Sequence, residues 1–276
     1  MSYELNAGGK QLAEVIEKVT WSGDSKQVAR KLVFTVANKD SDRFLPKVNI
    51  NEGDQVQFLE DGKLLFSGPV FDIEKSGTGN VVTYTALDLM FYITKSDINR
   101  VFDNETPEAI TSWICSHLGI PLGSAAVTGI PVYMPWLGKK AYDGIMAAYT
   151  AASRKNGKKY IPLMKNATQL HVIEKGTLCG VVQAVYKQED GADAQTEAMA
   201  LLKTLEQSGS VTGCQGDSRA VSGYALIVQE TTTGLFGKFY IESDTHTFTD
   251  GKHEMALTLA FSNMMDEKEI ENQSQG

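Results

Sequence analysis

A chain of 276 residues with 26 Lys and Arg against 34 Asp and Glu carries a net charge of −8, and 42% of it is hydrophobic. That length makes one large domain or two to three small ones, and the composition buries a real core and excludes a disordered chain. The acidic excess excludes a protein whose main task is gripping nucleic-acid phosphates, and no run of about 18 apolar residues is there to span a membrane.

From its start the chain reads as β. The opening Met-Ser-Tyr-Glu-Leu-Asn lacks the basic-then-apolar order of a secretory signal. Residues 12–21 run into the turn cluster Ser22-Gly23-Asp24. Leu32, Phe34 and Val36 then alternate with Lys31, Val33 and Thr35, the period-two pattern of a strand with one buried face. Val56 and Phe58 alternate again after Gly53-Asp54, and Glu60-Asp61-Gly62 predicts a hairpin turn. Leu64–Phe66, Val70–Ile73 and Val81–Thr85 continue the meander, which predicts a sandwich or barrel.

The middle third changes period. Thr106-Pro107-Glu108 predicts a helix start, with Thr accepting orphan amide hydrogens and Pro tolerated in the first turn. Ile110, Trp113, Ile114, His117 and Leu118 fall on one face, and Gly119 closes the helix. A second helix is expected from Lys140 to Arg154, ended by Asn156-Gly157. A hairpin of Tyr160–Met164 and Gln169–Ile173 turning at Lys165-Asn166 follows, then a third helix from Ala192 to Gln207. From Ser210 to Met264 the chain is β again. Residues 266–276, with four acids and one base, predict a frayed tail. The expected fold is mainly β with an α+β insert: two β regions, residues 1–100 and 209–265, each a sandwich or barrel, flank an insert at 101–208.

The two β regions echo one another. Gly53 is followed by Val56, Phe58, Glu60 and Leu65-Phe66; Gly223 is followed by Leu226, Val228, Glu230 and Leu235-Phe236, at matching spacing. Each Leu-Phe pair leads to a Gly and then to a strand closing on Ile-Glu, Ile73-Glu74 and Ile241-Glu242, the last part matching with a two-residue gap. Two copies of one module explain this, with Phe66 equivalent to Phe236.

Candidate chemistry is sparse. Gly23-Asp24-Ser25 with Asp250-Gly251-Lys252-His253 is the pattern of one family of serine esterases, His taking the Ser proton and Asp orienting the His. That nucleophile needs a strand-to-helix turn, yet Ser25 leads into an alternating strand. Gly216-Asp217-Ser218 repeats the tripeptide, and Asp250-Gly251 reads as a hairpin turn between Phe248 and Met255. His117, His171, His246 and His253 lack close Cys or carboxylate partners at ligand spacing, although His246 and His253 lie across one turn and could form a zinc pair. As polar strand-face residues they need no metal. Asp103, Glu105 and Glu108 are the clustered acids near an insert helix, where a helix N-terminus favours acids without catalysis. Ser76-Gly77-Thr78-Gly79-Asn80 is a loop and lacks the Lys-Ser/Thr of a phosphate cradle. Lys139-Lys140, Arg154-Lys155 and Lys158-Lys159 form a solvated basic stretch at helix ends. Trp21, Trp113 and Trp136 are core or interface anchors, with Trp113 expected to be largely buried. Cys115, Cys179 and Cys214 are odd in number and suit free thiols in a reducing cytoplasm. No catalytic, cofactor or metal site is expected.

A set of ordered segments carries a family resemblance. They are Val19-Thr-Trp-Ser-Gly-Asp24, Ala29-Arg-Lys-Leu32, Gly53-Asp54-x-Val56, Phe66-Ser-Gly68-x-Val70, Thr83-x-Thr-Ala-x-Asp88 and Thr106-Pro-Glu-Ala-Ile110, then Gly237-x-Phe-Tyr-Ile241-x-Ser-Asp-x-His246-x-Phe248 and Gly251-x-His253-x-Met255. In this order the segments resemble the baseplate hub family of contractile phage tails and prophage-like particles, which includes late-control tail protein D and the defective-prophage hub.

The resemblance implies a non-enzymatic virion tail baseplate protein without cofactors, assembled in the bacterial host cytoplasm. It implies a homotrimer ring in which each chain supplies two tail-tube-like barrels, giving a pseudo-sixfold face to a hexameric tube. The implied partners are further copies of the chain, the tail tube protein, the spike protein, and other baseplate and tape-measure proteins. Nucleic acid is not bound specifically, though DNA passes through an acidic lumen. Between Gly176 and Ala192 the chain is shorter than the family pattern. The alternatives are a hub that also degrades cell wall and the Gly-Asp-Ser serine esterase. The hub reading expects particles to tolerate Ser25→Ala and His253→Ala with modest losses of stability.

Overall fold

The computed structural model describes residues 2–12, 15–26, 28–37, 48–75, 80–165, 167–185, 209–230 and 236–270. The first β region comprises β1 (Tyr3–Ala7), β2 (Lys10–Gln11), β3 (Ile16–Asp24), β4 (Lys31–Ala37), β5 (Gln55–Glu60), β6 (Lys63–Lys75) and β7 (Val81–Leu87). Its alternating side chains divide as the sequence demands: Leu32, Phe34, Val36, Val56 and Phe58 are buried, and the residues between them face outward. Leu64–Phe66 and Val70–Ile73, read as two strands, belong to one strand. β6 pairs with β5 up to Pro69 and with β7 from Val70, with a register shift between Val70 and Asp72.

The insert holds α1 (Met90–Lys95), β8 (Asp97–Glu105), α2 (Pro107–Leu118), β9 (Leu122–Ala125), β10 (Val132–Lys140), α3 (Ala141–Asn156), β11 (Tyr160–Lys165) and β12 (Gln169–Glu174). The predicted helices around 106–119 and 140–154 are α2 and α3, each closed by a left-handed glycine, Gly119 or Gly157. Thr106 sits extended at the start of α2, but its side chain makes no capping hydrogen bond. The predicted hairpin is β11–β12; Asn166 of its expected turn lies outside the described residues, as does the expected helix at 192–207. Ile110, Ile114, Ile145, Met146 and Tyr149 fill the insert's core. Trp113 is half-buried, not largely buried as expected, because it flanks that core. It packs edge-on against Phe102 at 5.4 Å and stacks on His117 at 4.7 Å, beneath the Arg100 guanidinium.

The chain returns to β in β13 (Leu178–Val185), β14 (Gly209–Gln215), β15 (Ala225–Glu230), β16 (Phe236–Thr249) and β17 (Lys252–Ala260). Among the described residues the two β regions do not close into separate barrels. β3 pairs with β4 on one edge and with β16 on the other, so pairing runs through a single 12-stranded sheet along β13-β15-β16-β3-β4-β7-β6-β5-β1-β2, with β17 on β16 and β14 on β17.

Within that sheet the echo has a structural form. The orders β4-β7-β6-β5 and β14-β17-β16-β15 are the same arrangement. Gly53 N–H donates to Val70 O at 2.8 Å and Val70 N–H returns to Asp54 O at 2.9 Å. Gly223 N–H donates to Ile241 O at 3.0 Å and Ile241 N–H returns to Tyr224 O at 2.9 Å. Both glycines have positive φ, and the register shift after Val70 recurs after Ile241. The expected match of Phe66 with Phe236 is one residue out. Phe66 faces Phe58, and Val228, the counterpart of Phe58, faces Gly237. The Phe236 side chain and residues 231–235 lie outside the described residues.

The acidic end of the chain is not frayed over 266–270. Met265 is buried against the insert. Asp266 accepts from Tyr142 Oη at 2.9 Å, Lys159 pairs with Glu267 at 3.1 Å, and Arg154 grips Glu269. Arg154 and Lys159 are therefore the partners of acids beyond β17, while Lys158 pairs with Glu174 of β12 at 2.9 Å. No helix among the described residues is long and apolar enough to cross a membrane.

Candidate functional site

Where β3 and β16 meet, charged and polar side chains from both β regions are buried together. Asp244 of β16 stands opposite Gly23 of β3. Arg30, from the loop leading into β4, crosses the Trp21 ring at 4.0 Å and grips Asp244 with two N–H groups, Nη1 to Oδ1 at 3.0 Å and Nη2 to Oδ2. Ser222 N–H donates to the same carboxylate at 2.6 Å. Arg30 is 7% exposed and Asp244 2%, so the pair is out of water. A buried pair of this kind is stable only when its remaining hydrogen-bonding capacity is met, which the Ser222 amide helps to do.

A second chain of contacts runs beside it. His246 Nε2 lies 3.1 Å from Ala220 O, a carbonyl that can only accept, so this nitrogen carries a hydrogen. His246 Nδ1 then accepts from His253 Nε2 at 2.9 Å. That leaves His253 Nδ1 facing Glu60 Oε1 at 2.7 Å. Burial holds the His246 imidazole down at about 4, against a smaller upward pull from Asp244, so it is neutral at pH 7. Burial raises Glu60, but hydrogen bonds from His253 and Ser218 outweigh it and keep the acid below its ordinary value. The two histidines face each other across the hairpin, as their spacing allowed, but they are buried in the core rather than lying on a polar strand face. Among the described residues no group of three or more His, Cys, Asp or Glu is placed to hold a metal ion.

Both Gly-Asp-Ser tripeptides owe their glycine to this packing. A Cβ on Gly23 would lie 2.3 Å from Arg30 Nη1, and one on Gly216 would lie 2.0 Å from the His253 ring. The esterase constellation is not assembled. Ser25 Oγ donates to Glu242 Oε2 at 2.7 Å, while both ring nitrogens of His253 are engaged by Glu60 and His246. Asp250 and Gly251 form the two-residue turn between β16 and β17, both with positive φ. Glu242 is instead a knot between three parts of the chain. Its other oxygen takes Lys175 Nζ at 3.0 Å, and that buried ammonium also reaches Met264 O. Ser25→Ala therefore removes one part-buried hydrogen bond, an expected cost of about 1 kcal/mol in chemical denaturation.

The remaining candidates have structural partners. Glu108 holds the 128–129 loop through the amides and hydroxyl of Thr128 and Gly129, at 3.0–3.2 Å. Glu105 pairs with Arg100 at 2.7 Å, and Asp103 is exposed. His171 Nδ1 contacts Ser124 Oγ at 2.8 Å, and His117 lies on Trp113. Trp136 donates from Nε1 to Lys140 O at 3.0 Å, Cys115 and Cys179 are free thiols, and residues 76–79 of the Gly-rich loop lie outside the described residues.

One buried acid stands out that spacing and composition do not reveal. Asp88, after β7, caps α1 by accepting Met90 N–H at 3.0 Å, and burial pushes its carboxyl up to about 7. A raised acid binds its proton more tightly in the fold than in the unfolded chain, so it lowers stability as pH rises from about 4 to 7. Asp88→Asn keeps the acceptor and removes the titration. Its stabilising effect should be greater at pH 8 than at pH 5 by roughly 3 kcal/mol, read from denaturation midpoints at the two pH values.

The YQBQ-like family matches residues 19–179 and 176–260. The phage-like element PBSX protein XkdQ of Bacillus subtilis (strain 168) is 23% identical over 311 residues, covering 92% of this chain and 94% of that protein. The 43 kDa tail protein of prophage MuSo2 from Shewanella oneidensis has a similar fold, with a TM-score of 0.67 at 13% identity over 94% of this chain and 98% of its own. So does an E. coli component of the type VI secretion system, itself described as similar to the T4 tail proteins gp27 and gp5. Its TM-score is 0.58 at 12% identity, over 94% of this chain and 77% of its own. The family match spans well over half of the sequence, and the chain belongs to the YQBQ-like family.

Proposed function

We propose that this chain is a structural subunit of a phage tail or phage-tail-like particle, and within it the baseplate hub that joins the tail tube to the spike as a ring of three copies. The observation that carries this reading is the repeat. The arrangement β4-β7-β6-β5 recurs as β14-β17-β16-β15, with the same pair of glycine-turn hydrogen bonds and the same register shift. Three chains with two like halves each present six similar surfaces, which is how a threefold spike can meet a sixfold tube.

Family membership and the tail-protein fold support the same reading. The work is geometric and not enzymatic: paired strands and packed side chains hold the two halves at a fixed angle. Its partners are other copies, the tube protein, the spike and further baseplate and tape-measure proteins. The net charge of −8 has the sign that lets DNA slide through a lumen without binding. Light scattering on the purified protein tests the ring, with a mass near three times 30.1 kDa expected. Particles carrying Ser25→Ala should still assemble and work; assembled particles that had lost function would point to chemistry at Ser25.

A further inference from the structure

Among the described residues the repeat leaves one of its two halves without a strand partner on its outer side. Aligned by their glycine turns and register shifts, Phe71 corresponds to Glu242, Asp72 to Ser243, and Lys75 to His246. In the second half the outer side of this stretch is occupied. β3 pairs with it from Ser243↔Asp24 to Phe248↔Val19, and Ser25 N–H donates to Glu242 O at 2.7 Å. Asp244, His246 and Phe248 are buried there. In the first half no described strand pairs with the outer side of β6 beyond Pro69. Phe71, Asp72, Glu74 and Lys75 are exposed, Phe71 by 53%. Beside this edge lies an aromatic patch: Phe71 and Phe91 with centroids 5.0 Å apart, then Tyr92 at 5.9 Å from Phe91 and 47% exposed. An open edge next to exposed aromatic rings is a surface that strand pairing covers.

The opposite end of the repeat has the complementary gap. β4 pairs with both β7 and β3, whereas its counterpart β14 pairs, among the described residues, with β17 alone. Among the described residues, one edge on the first half and one on the second are thus without a strand partner. We propose that the β6 edge from Phe71 to Lys75, with Phe91 and Tyr92, docks a second copy of this chain, which presents the flank carrying its β14. Within one molecule β3 bridges the corresponding edges of β16 and β4; between molecules the β6 and β14 edges stand in those two places. The contact joins unlike surfaces, so it propagates head to tail and closes into a ring when the rotation permits. This rests on the ring reading and names the surface that makes it.

Two measurements test it. Phe71→Asp with Tyr92→Asp alters only exposed side chains. At a concentration where the unmodified protein is assembled, the double variant should be monomeric by light scattering, with an unchanged far-ultraviolet spectrum. Hydrogen exchange on the unmodified protein needs no variant: amides of residues 72–75 should exchange about tenfold or more slowly in the oligomer than in the diluted monomer. A double variant that keeps the full oligomeric mass overturns this docking edge while leaving the ring intact. Fast exchange at 72–75 in the oligomer does the same. An unmodified protein that stays monomeric, with 72–75 still exchanging fast in purified particles, overturns both the edge and the ring.

Discussion

Replacing Arg30 with methionine is expected to destabilise the protein by about 3–5 kcal/mol, because it strands the Asp244 carboxylate in a site with almost no water. The guanidinium supplies two N–H donors to that acid and covers the face of Trp21; methionine fills similar volume and supplies neither donor. The double variant Arg30→Met with Asp244→Asn should recover part of the loss, since asparagine is neutral and can still accept the Ser222 N–H. Chemical denaturation at pH 7 is the measurement. A loss below about 1 kcal/mol for Arg30→Met would show that the pair is solvated in solution and that the seam is looser than described here.

His253→Ala should cost nearly as much, about 3–4 kcal/mol, and not the modest amount that the hub reading of the sequence expected. The ring stacks on Phe248 at 4.1 Å and stands between Glu60 and His246. Its removal opens a cavity beside Phe248 and orphans His246 Nδ1. His253→Phe separates the two contributions, since it keeps the stack and loses the polar contacts. The same cluster sets an acid limit. His246, depressed to about 4 in the fold, takes up its proton in the unfolded chain first, so stability falls as pH drops from about 6.5 towards 4, by about 1.4 kcal/mol per pH unit. Asp88 acts in the opposite direction over part of that range, so the fall should be steeper in Asp88→Asn than in the unmodified protein. An equal slope in the two proteins would contradict the assignment of either group.

What the sequence made legible were local features. Leu32, Phe34 and Val36 announce their strand by alternation, Gly119 and Gly157 end their helices, and Asp250-Gly251 makes its hairpin. The echo around Gly53 and Gly223 was also visible, because a turn glycine and its spacing are local; the register beyond it was not, and Phe66 was matched to the wrong residue. The seam escaped because its partners are far apart in the chain. Nothing near Arg30 predicts Asp244, nothing near His253 predicts Glu60, and the acids of 266–270 find Arg154 and Lys159 only after α3 has docked. Separate barrels were implied by the family resemblance, but which strand spans two regions is decided by β3, which pairs on both of its edges.

Cryo-microscopy of the assembled particle tests the hub reading most directly. Three copies of this chain are expected in a ring on the tail axis, between the tube and the spike, with their six β halves facing the tube in near-equivalent positions. Density for the chain away from that axis, or a tail axis that lacks it, would overturn its role as the hub.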